Sequence, residues 1–227
     1  MHPGFLIAAV LVCSAARADK LDALLSQVEK AYGGERALSL LRVVRETGTL
    51  ESRRGVARTV RLFASPDRLR IEIHYPEGEG EIRLLSGPHA WRDGVMVQGP
   101  LRDAMLLQAA RLDLPGLLFR HRKGLVDLGV VQRDGANLRG IGVPLEGTLN
   151  VAVLVDPATG RILRSEGELA SPNGPVHFAT SYEDFRSVGK LLFAFRETNY
   201  ASGQLTGHTS IEKIELLDTP AAGSFAP

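Results

Sequence analysis

The chain has little cysteine, few aromatic residues and no apolar run long enough to cross a bilayer. Cys13 is the only cysteine among 227 residues, and aromatic residues make up 6% of the sequence. One cysteine excludes an internal disulfide framework, so stability has to come from an apolar core. The 27 basic residues are balanced by 26 acidic ones, which gives no electrostatic case for binding nucleic acid.

The N-terminus has the pattern of a secretory signal peptide. Residues 5–16 form a 12-residue apolar run, and Ala16-Arg17-Ala18 follows as a small-residue cleavage site. We predict cleavage after Ala18, which would leave a single mature domain of residues 19–227 in the periplasm. The alternative is a buried N-terminal helix, because no Lys or Arg precedes the run. Lipid attachment at Cys13 is disfavoured because Val12 precedes it.

The apolar periodicity predicts two helices and many strands. Residues 19–32 and residues 102–112 have apolar residues at helical spacing, whereas Arg68–His74 alternates strictly between polar and apolar. Similar short runs are separated by turn signals such as Asp134-Gly135. They lie at residues 43–50, 56–64, 81–85, 125–131, 148–155, 162–169, 176–182, 191–200 and 206–217.

Short connections of this kind join antiparallel neighbours. We therefore predict a mainly β fold: a curved antiparallel sheet, or unclosed β-barrel, of about ten or eleven strands. The two helices have apolar faces that need burial, so we predict that they form a helical lid on the concave side of the sheet.

Sequence motifs for catalysis or metal binding are missing. There is no Gly-x-Ser-x-Gly elbow, no phosphate-binding loop and no His-Glu-x-x-His. The histidines of the mature chain fall on separate predicted elements: His74, His89, His121, His177 and His208. We predict a protein that is not an enzyme and that has no metal site and no cofactor.

Arginine is concentrated in residues 42–70, which contain eight arginines and three acidic residues. Guanidinium groups pair well with phosphate or carboxylate, so this segment suggests contact with anionic lipid headgroups or an acidic partner. The alternative is a solvated strand face whose charge is balanced by acidic residues elsewhere in the chain.

Several motifs, taken in order, resemble the LolA-like superfamily of periplasmic outer-membrane lipoprotein carriers. Residues 64–72 are similar to a run in which a strand ends at a proline and continues through an arginine-containing strand, and residues 85–94 to the glycine turn and tryptophan that follow. Residues 114–118 resemble the family's proline-led apolar segment near the lid helices. Residues 155–161 and 182–186 look like its late hairpin and the following strand.

The resemblance implies an apolar cavity that shields acyl chains during transport. Candidate ligand-binding residues are Leu69, Ile71 and Ile73 from the sheet, and Met105, Leu106, Ala109, Leu117 and Leu118 from the lid. Arg68 and Arg70 are candidates for headgroup contact. A filled core with the same residues is an equal alternative. In the best-known carriers an arginine precedes the strand's proline and helps to close the lid, whereas Ser65 precedes Pro66 here.

The predicted function is that of a periplasmic carrier or binder of lipids or lipoprotein acyl chains, in transport toward the outer membrane. Its expected partners are lipid or acylated lipoprotein cargo and membrane-bound donor and acceptor proteins. The alternative is an extracytoplasmic sensor or protein-interaction module of the cell envelope, because a related fold occurs in envelope-stress regulators. An enzyme acting on a hydrophobic substrate is a third hypothesis.

Overall fold

A computed structural model describes residues 6–171 and 174–227, with side chains from Asp19 onward. Helices in these ranges are α1 (Leu6–Ala31), α2 (Glu35–Ser39), α3 (Pro100–Leu112), α4 (Gly116–Arg120) and a 3₁₀ turn (Arg122–Gly124). The strands are β1 (Val43–Ser52), β2 (Gly55–Ala64), β3 (Arg68–His74), β4 (Glu81–Ser86), β5 (His89–Arg92), β6 (Val95–Val97), β7 (Val126–Arg133), β8 (Ala136–Pro144), β9 (Asn150–Val155), β10 (Ile162–Leu169), β11 (Val176–Val188), β12 (Leu191–Ala201) and β13 (Gln204–Leu217).

The predicted signal peptide is only partly within the described structure. Residues 1–5 and the side chains of residues 6–18 lie outside it, so cleavage after Ala18 stays a prediction. Helix α1 extends the predicted helix of residues 19–32 toward the N-terminus. Within the described ranges, no helix has both the length and the apolar character required to cross a membrane.

All thirteen strands of the described ranges belong to one antiparallel sheet. Their order is β6-β5-β4-β3-β2-β1-β13-β12-β11-β10-β9-β8-β7, so consecutive strands are neighbours except where β1 pairs with β13. That pairing joins the first strand of the described sheet to the last, with Val43 opposite Leu217. Strands β6 and β7 each have one unpaired edge, and the sheet is not closed. The predicted mainly β, unclosed antiparallel architecture is confirmed.

The predicted number of strands, about ten or eleven, is wrong because three strands escaped the alternation test. Strands β5 and β6 have four and three residues, too few to show a period. Strand β8 has Gly140 and Gly142 in its middle, where glycine disfavours a strand. The packing requires a small residue here: a Cβ at Gly140 would lie 2.9 Å from the Cβ of Leu128 and 2.9 Å from a methyl group of Val131.

The sheet is strongly curved around α3. This helix contacts β3, β4 and β5 on one side and β9 and β10 on the other. In the sheet order β4 and β9 are eight strand steps apart. A flat sheet would separate them by about 38 Å, at roughly 4.8 Å per step, whereas a 13-residue helix is only about 20 Å long. The contacts therefore require the sheet to bend around the helix.

The predicted placement of the helices as a lid on the concave side is wrong. Helix α3 is packed on two faces, because Met105 and Ala109 contact the β2–β5 end of the sheet while Leu107 and Ala110 contact the β8–β10 end. Helices α1 and α4 belong to the same core as the β8–β10 end. The buried residues of α3 lie on two sides of its axis, and α1 and α4 pack into the same core, so the helices form part of the core itself.

The first prediction tests whether α4 is core. Leu118 is fully buried, and Leu118→Ala is expected to lower the free energy of unfolding by about 2–5 kcal/mol, because it removes buried methyl groups and leaves a cavity. Leu40 is 66% exposed, so the control Leu40→Ala is expected to change stability by about 0.5 kcal/mol or less. Urea unfolding followed by circular dichroism measures both. Similar small changes for the two variants would mean that α4 is a detachable lid.

Candidate ligand-binding cavity

A cavity of about 460 Å³ lies between α3 and the central strands of the sheet. Its volume is in the range that small-molecule sites have, roughly 300–1,000 Å³. One wall is apolar, and its residues come from β1, β3, β11 and α3: Leu50, Ile71, Ile73, Phe178, Leu101, Met105 and Leu112. The cavity is therefore large enough, and apolar enough on this side, to hold part of a hydrophobic ligand.

The floor of the cavity is polar, because the central strands point polar residues inward. On β2 the alternation places Ala57, Thr59, Arg61 and Phe63 on the inner face and Arg58 on the outer face. The facing residues of β1, β11, β12 and β13 continue the polar surface: Glu46, Thr180, Tyr182, Glu197, Asn199 and Thr209. The two ends of the sheet are apolar, and polar side chains are gathered between them.

Arg61 is the centre of this floor. Its Nη1 donates to Glu197 Oε2 at 2.6 Å and its Nη2 to Glu197 Oε1 at 3.1 Å, a two-pronged pairing. Nη2 also lies 2.7 Å from Glu46 Oε2. The side chains of Arg61, Glu46 and Glu197 are 8%, 12% and 10% exposed, so two carboxylates share one guanidinium out of contact with bulk water.

This sharing changes the protonation of Glu46. Burial raises the pKa of the Glu46 carboxyl, and the Glu197 charge acts in the same direction, while the Arg61 charge opposes them. A raised pKa means that the folded protein binds this proton more tightly than the unfolded chain does. The resulting stabilisation is present at low pH and is lost as the pH rises through the pKa of the folded state.

Hydroxyl and amide groups complete the floor. The Tyr182 and Ser165 hydroxyls are 2.7 Å apart, and Thr180 Oγ1 donates to Asn199 Oδ1 at 2.9 Å. Burial raises the pKa of Tyr182 to about 12, so its hydroxyl stays protonated at neutral pH. Of these groups, Tyr182 and the amide nitrogen of Asn199 can donate a hydrogen bond to a ligand without carrying charge.

Arg111 projects from α3 toward the floor. It lines the main cavity and also a smaller one of about 50 Å³, and it shares this position with Leu112, Tyr182 and Glu197. Burial lowers the pKa of the Arg111 guanidinium, although arginine in proteins remains charged. Among the residues that the structure describes, no carboxylate lies at ion-pair distance from Arg111.

Further charged residues lie at the rim of the cavity. Arg54 stacks over the Tyr75 ring at 4.4 Å and donates to the Glu79 carbonyl at 3.1 Å. Glu81 pairs with Arg83 at 2.7 Å. Hydrogen bonding to Arg83 and the nearby guanidinium charges hold the pKa of Glu81 below its usual range, against the opposing effect of its burial. Within the described ranges, no group of three His, Cys, Asp or Glu residues could hold a metal ion.

The eight predicted ligand-binding residues fall into two groups. Ile71, Ile73 and Met105 border the cavity, although they also belong to the apolar core at the β2–β5 end and are only 2%, 6% and 1% exposed. The other five pack in the two apolar cores: Leu69, Leu106 and Ala109 at the β2–β5 end, and Leu117 and Leu118 at the β8–β10 end. Ligand binding by any of them stays a prediction, but only the first three have access to the cavity.

Arg68 and Arg70 lie on the outer face of β3, opposite Leu69 and Ile71. Arg70 pairs with Glu72 at 2.6 Å, and Arg68 stacks over the Phe225 ring at 5.2 Å. Their predicted headgroup contact stays a prediction, and a headgroup that they bind would lie outside the cavity.

The charged floor was not predicted from the sequence, although the sequence contains a signal for it. Arg61 falls in the same alternating phase as Ala57 and Phe63, and Glu197 falls two residues after Phe195. A charged residue in the apolar phase of a strand indicates an inward-pointing charge that needs a partner. Residues 42–70 contain Arg61 together with outward-facing arginines, so the number of arginines in this segment does not show that one of them points inward.

Comparisons with known proteins identify the fold. No family model and no curated protein matches the chain. Among solved structures, the chain is similar to a LolA superfamily protein from Nitrosomonas europaea, with 14% sequence identity and a TM-score of 0.57, over 88% of this chain and 96% of that one. The chain therefore has a LolA-like fold, as its motifs predicted. A structural similarity at this low sequence identity shows that the folds are alike, and it does not show that any functional residue is shared.

Two other solved structures resemble the chain more distantly. A putative outer membrane lipoprotein-sorting protein domain from Vibrio parahaemolyticus is 10% identical with a TM-score of 0.49, over 92% of this chain and 97% of that one. A DUF1329 family protein from Desulfovibrio piger is 7% identical with a TM-score of 0.47, over 93% and 96% of the two chains.

The second prediction compares two arginines of β2 that face opposite sides. Arg61→Met is expected to lower the free energy of unfolding by about 3–5 kcal/mol, because it leaves Glu46 and Glu197 buried without a counter-ion. The loss is expected to be larger at about pH 8 than at about pH 5, where the folded variant can protonate the carboxylates. Chemical denaturation at both pH values measures it.

The control is Arg58→Met, because Arg58 pairs with Glu212 on the exposed outer face at 2.7 Å. Its expected cost is below about 1 kcal/mol, with little dependence on pH. Equal losses for the two variants would contradict a structural role for the buried charge cluster.

Proposed function

We propose that this protein binds lipids or lipoprotein acyl chains in the cavity beneath α3 and carries them through the periplasm toward the outer membrane. The observation that carries the proposal is the cavity itself, which has a continuous apolar wall from Leu50 through Ile71 and Ile73 to Met105. The LolA-like fold supports it, and so does the secretory pattern of residues 1–18. In this proposal the protein binds and releases its ligand and catalyses no reaction.

The physical need for such a protein follows from the cost of exposing an acyl chain. Each methylene group transferred from water to an apolar surface gains about 0.8 kcal/mol, so a long chain does not leave a membrane unassisted. An apolar wall beside a polar floor offers separate surfaces to the chain and to the polar end of an amphiphile. Membrane-bound donor and acceptor proteins would then load and unload the carrier.

A second candidate function is an envelope sensor or protein-interaction module, and one observation favours it. The edge strand β7 exposes three apolar side chains, since Val126, Leu128 and Val130 are 54%, 45% and 66% exposed. An exposed apolar edge strand is a site at which another chain can add a strand. A partner bound there would leave the cavity unused.

The decisive experiment is native mass spectrometry, with solvent extraction, of residues 19–227 purified from an envelope fraction without detergent. A discrete added mass that extracts as lipid or acylated peptide supports the carrier and reveals its cargo class. A bare protein mass, with no uptake of a fluorescent fatty acyl probe, would overturn the carrier proposal and favour the interaction module.

The third prediction separates the cavity from the edge strand. Leu101→Asp places a charge in the apolar wall at the start of α3, where the helix dipole tolerates an acidic residue, so the fold is expected to survive. Uptake of a fluorescent fatty acyl probe is expected to fall at least about tenfold, because binding would bury an unpaired carboxylate. Circular dichroism confirms folding.

The matched control is Leu128→Asp on β7, which is expected to leave probe uptake unchanged. Uptake that survives Leu101→Asp but fails in Leu128→Asp would place the ligand on the edge strand instead of in the cavity.

A further inference from the structure

The charges around the cavity are paired except at two arginines. Arg61 is matched by Glu46 and Glu197, and Arg83 by Glu81. Arg54 at the rim has only a carbonyl and an aromatic ring as partners, while Arg111 lies inside and has no ion pair among the described residues. Arg111 is half-buried, and a guanidinium partly removed from water without a counter-ion loses hydration that no partner replaces, so an anion bound beside Arg111 would be stabilised.

Glu197 does not act as a counter-ion for Arg111. Glu197 acts on Arg111 electrostatically, but both Glu197 oxygens accept hydrogen bonds from Arg61. Arg61 and Arg83 also act on Arg111, with the opposite sign, while Tyr182 faces it as a neutral hydroxyl. Because Arg61 takes up both Glu197 oxygens, Arg111 is left without a hydrogen-bonded counter-ion between a hydroxyl-lined floor and an apolar wall.

We propose that the ligand of this cavity is a single-chain amphiphile whose anionic end, a carboxylate or a phosphate, enters the cavity and pairs with Arg111 while its chain lies on the apolar wall. Tyr182, when its hydroxyl accepts from Ser165, and the second amide hydrogen of Asn199 lie on the same floor and can donate to the remaining oxygens of the anion. A planar guanidinium binds two oxygens of either group at once.

This inference rests on the proposed function and restricts it. The lipid of an acylated cysteine is joined through ester and amide groups, which carry no charge and would leave Arg111 unpaired. The cavity of about 460 Å³ also suits one small ligand. The structure thus favours an acidic single-chain lipid over the acyl group of a lipoprotein.

The experiment measures binding of three probes with the same saturated chain to residues 19–227: the free carboxylate, its methyl ester and the alkyl phosphate. Isothermal calorimetry below the critical micelle concentration gives each dissociation constant. The carboxylate or the phosphate is expected to bind at least about tenfold more tightly than the methyl ester, the difference expected for one charge-assisted pair. The tighter of the two identifies the source of the anion.

The variant Arg111→Met is expected to abolish this preference by weakening the anionic probe at least about tenfold while leaving the methyl ester unchanged. Arg111→Lys keeps the charge and is expected to retain part of the preference, so it controls for a packing effect. Arg54→Met tests the rim arginine and is expected to leave the preference intact. Thermal melting establishes that each variant is folded.

The outcomes separate this inference from the proposed function. Equal binding of anionic probe and methyl ester by the unmodified protein would overturn the pairing with Arg111 but leave the acyl carrier standing. Binding of none of the probes would overturn both. A preference that survives Arg111→Met and disappears in Arg54→Met would place the anion at the rim and overturn the inference as well.

Discussion

The structure depends on the packing of one helix against two distant parts of the same sheet. Helix α3 contacts strands that a flat sheet would hold far apart, so its two apolar faces set the curvature. Met105 and Ala109 pack against the β2–β5 end of the sheet, and Leu107 and Ala110 pack against the β8–β10 end. The strands between the ends are held away from the helix, and the cavity is the space that remains. The curvature of the sheet determines where the cavity lies, and the side chains of the central strands determine its polarity.

Those central strands carry charge where an ordinary core would carry leucine or valine. Arg61 is matched by two carboxylates, so the floor avoids the large cost of an isolated buried ion. Such a floor also resists collapse, because covering it with apolar side chains from α3 would leave its hydroxyl and amide groups without water or new hydrogen-bond partners. An open, half-polar cavity is therefore maintained by its own polar floor.

Much of this fold could be predicted from local pattern, and the site much less. Strict alternation predicted the exact bounds of β3. In contrast, Gly140 and Gly142 hid β8, because these glycines pack against side chains of β7 and this packing cannot be read from the sequence. Leu118 and Ile71 are both apolar and both buried in a core, yet of the two only Ile71 also borders the cavity. That difference depends on curvature. Pairing of Arg61 with Glu197 across 136 residues is likewise invisible before the sheet order is known.

The pairing of the first strand with the last has a consequence for the order in which the molecule can be assembled. Glu46 and Arg61 lie on the N-terminal half of the sheet, and Glu197 and Thr209 on the C-terminal half, joined only where β1 meets β13. Contacts this remote along the chain form slowly, since a long loop must be closed first. A nascent chain that has not yet released its final strand therefore has Glu46 beside Arg61 but lacks the pairing with Glu197, and its cavity has only half of its floor.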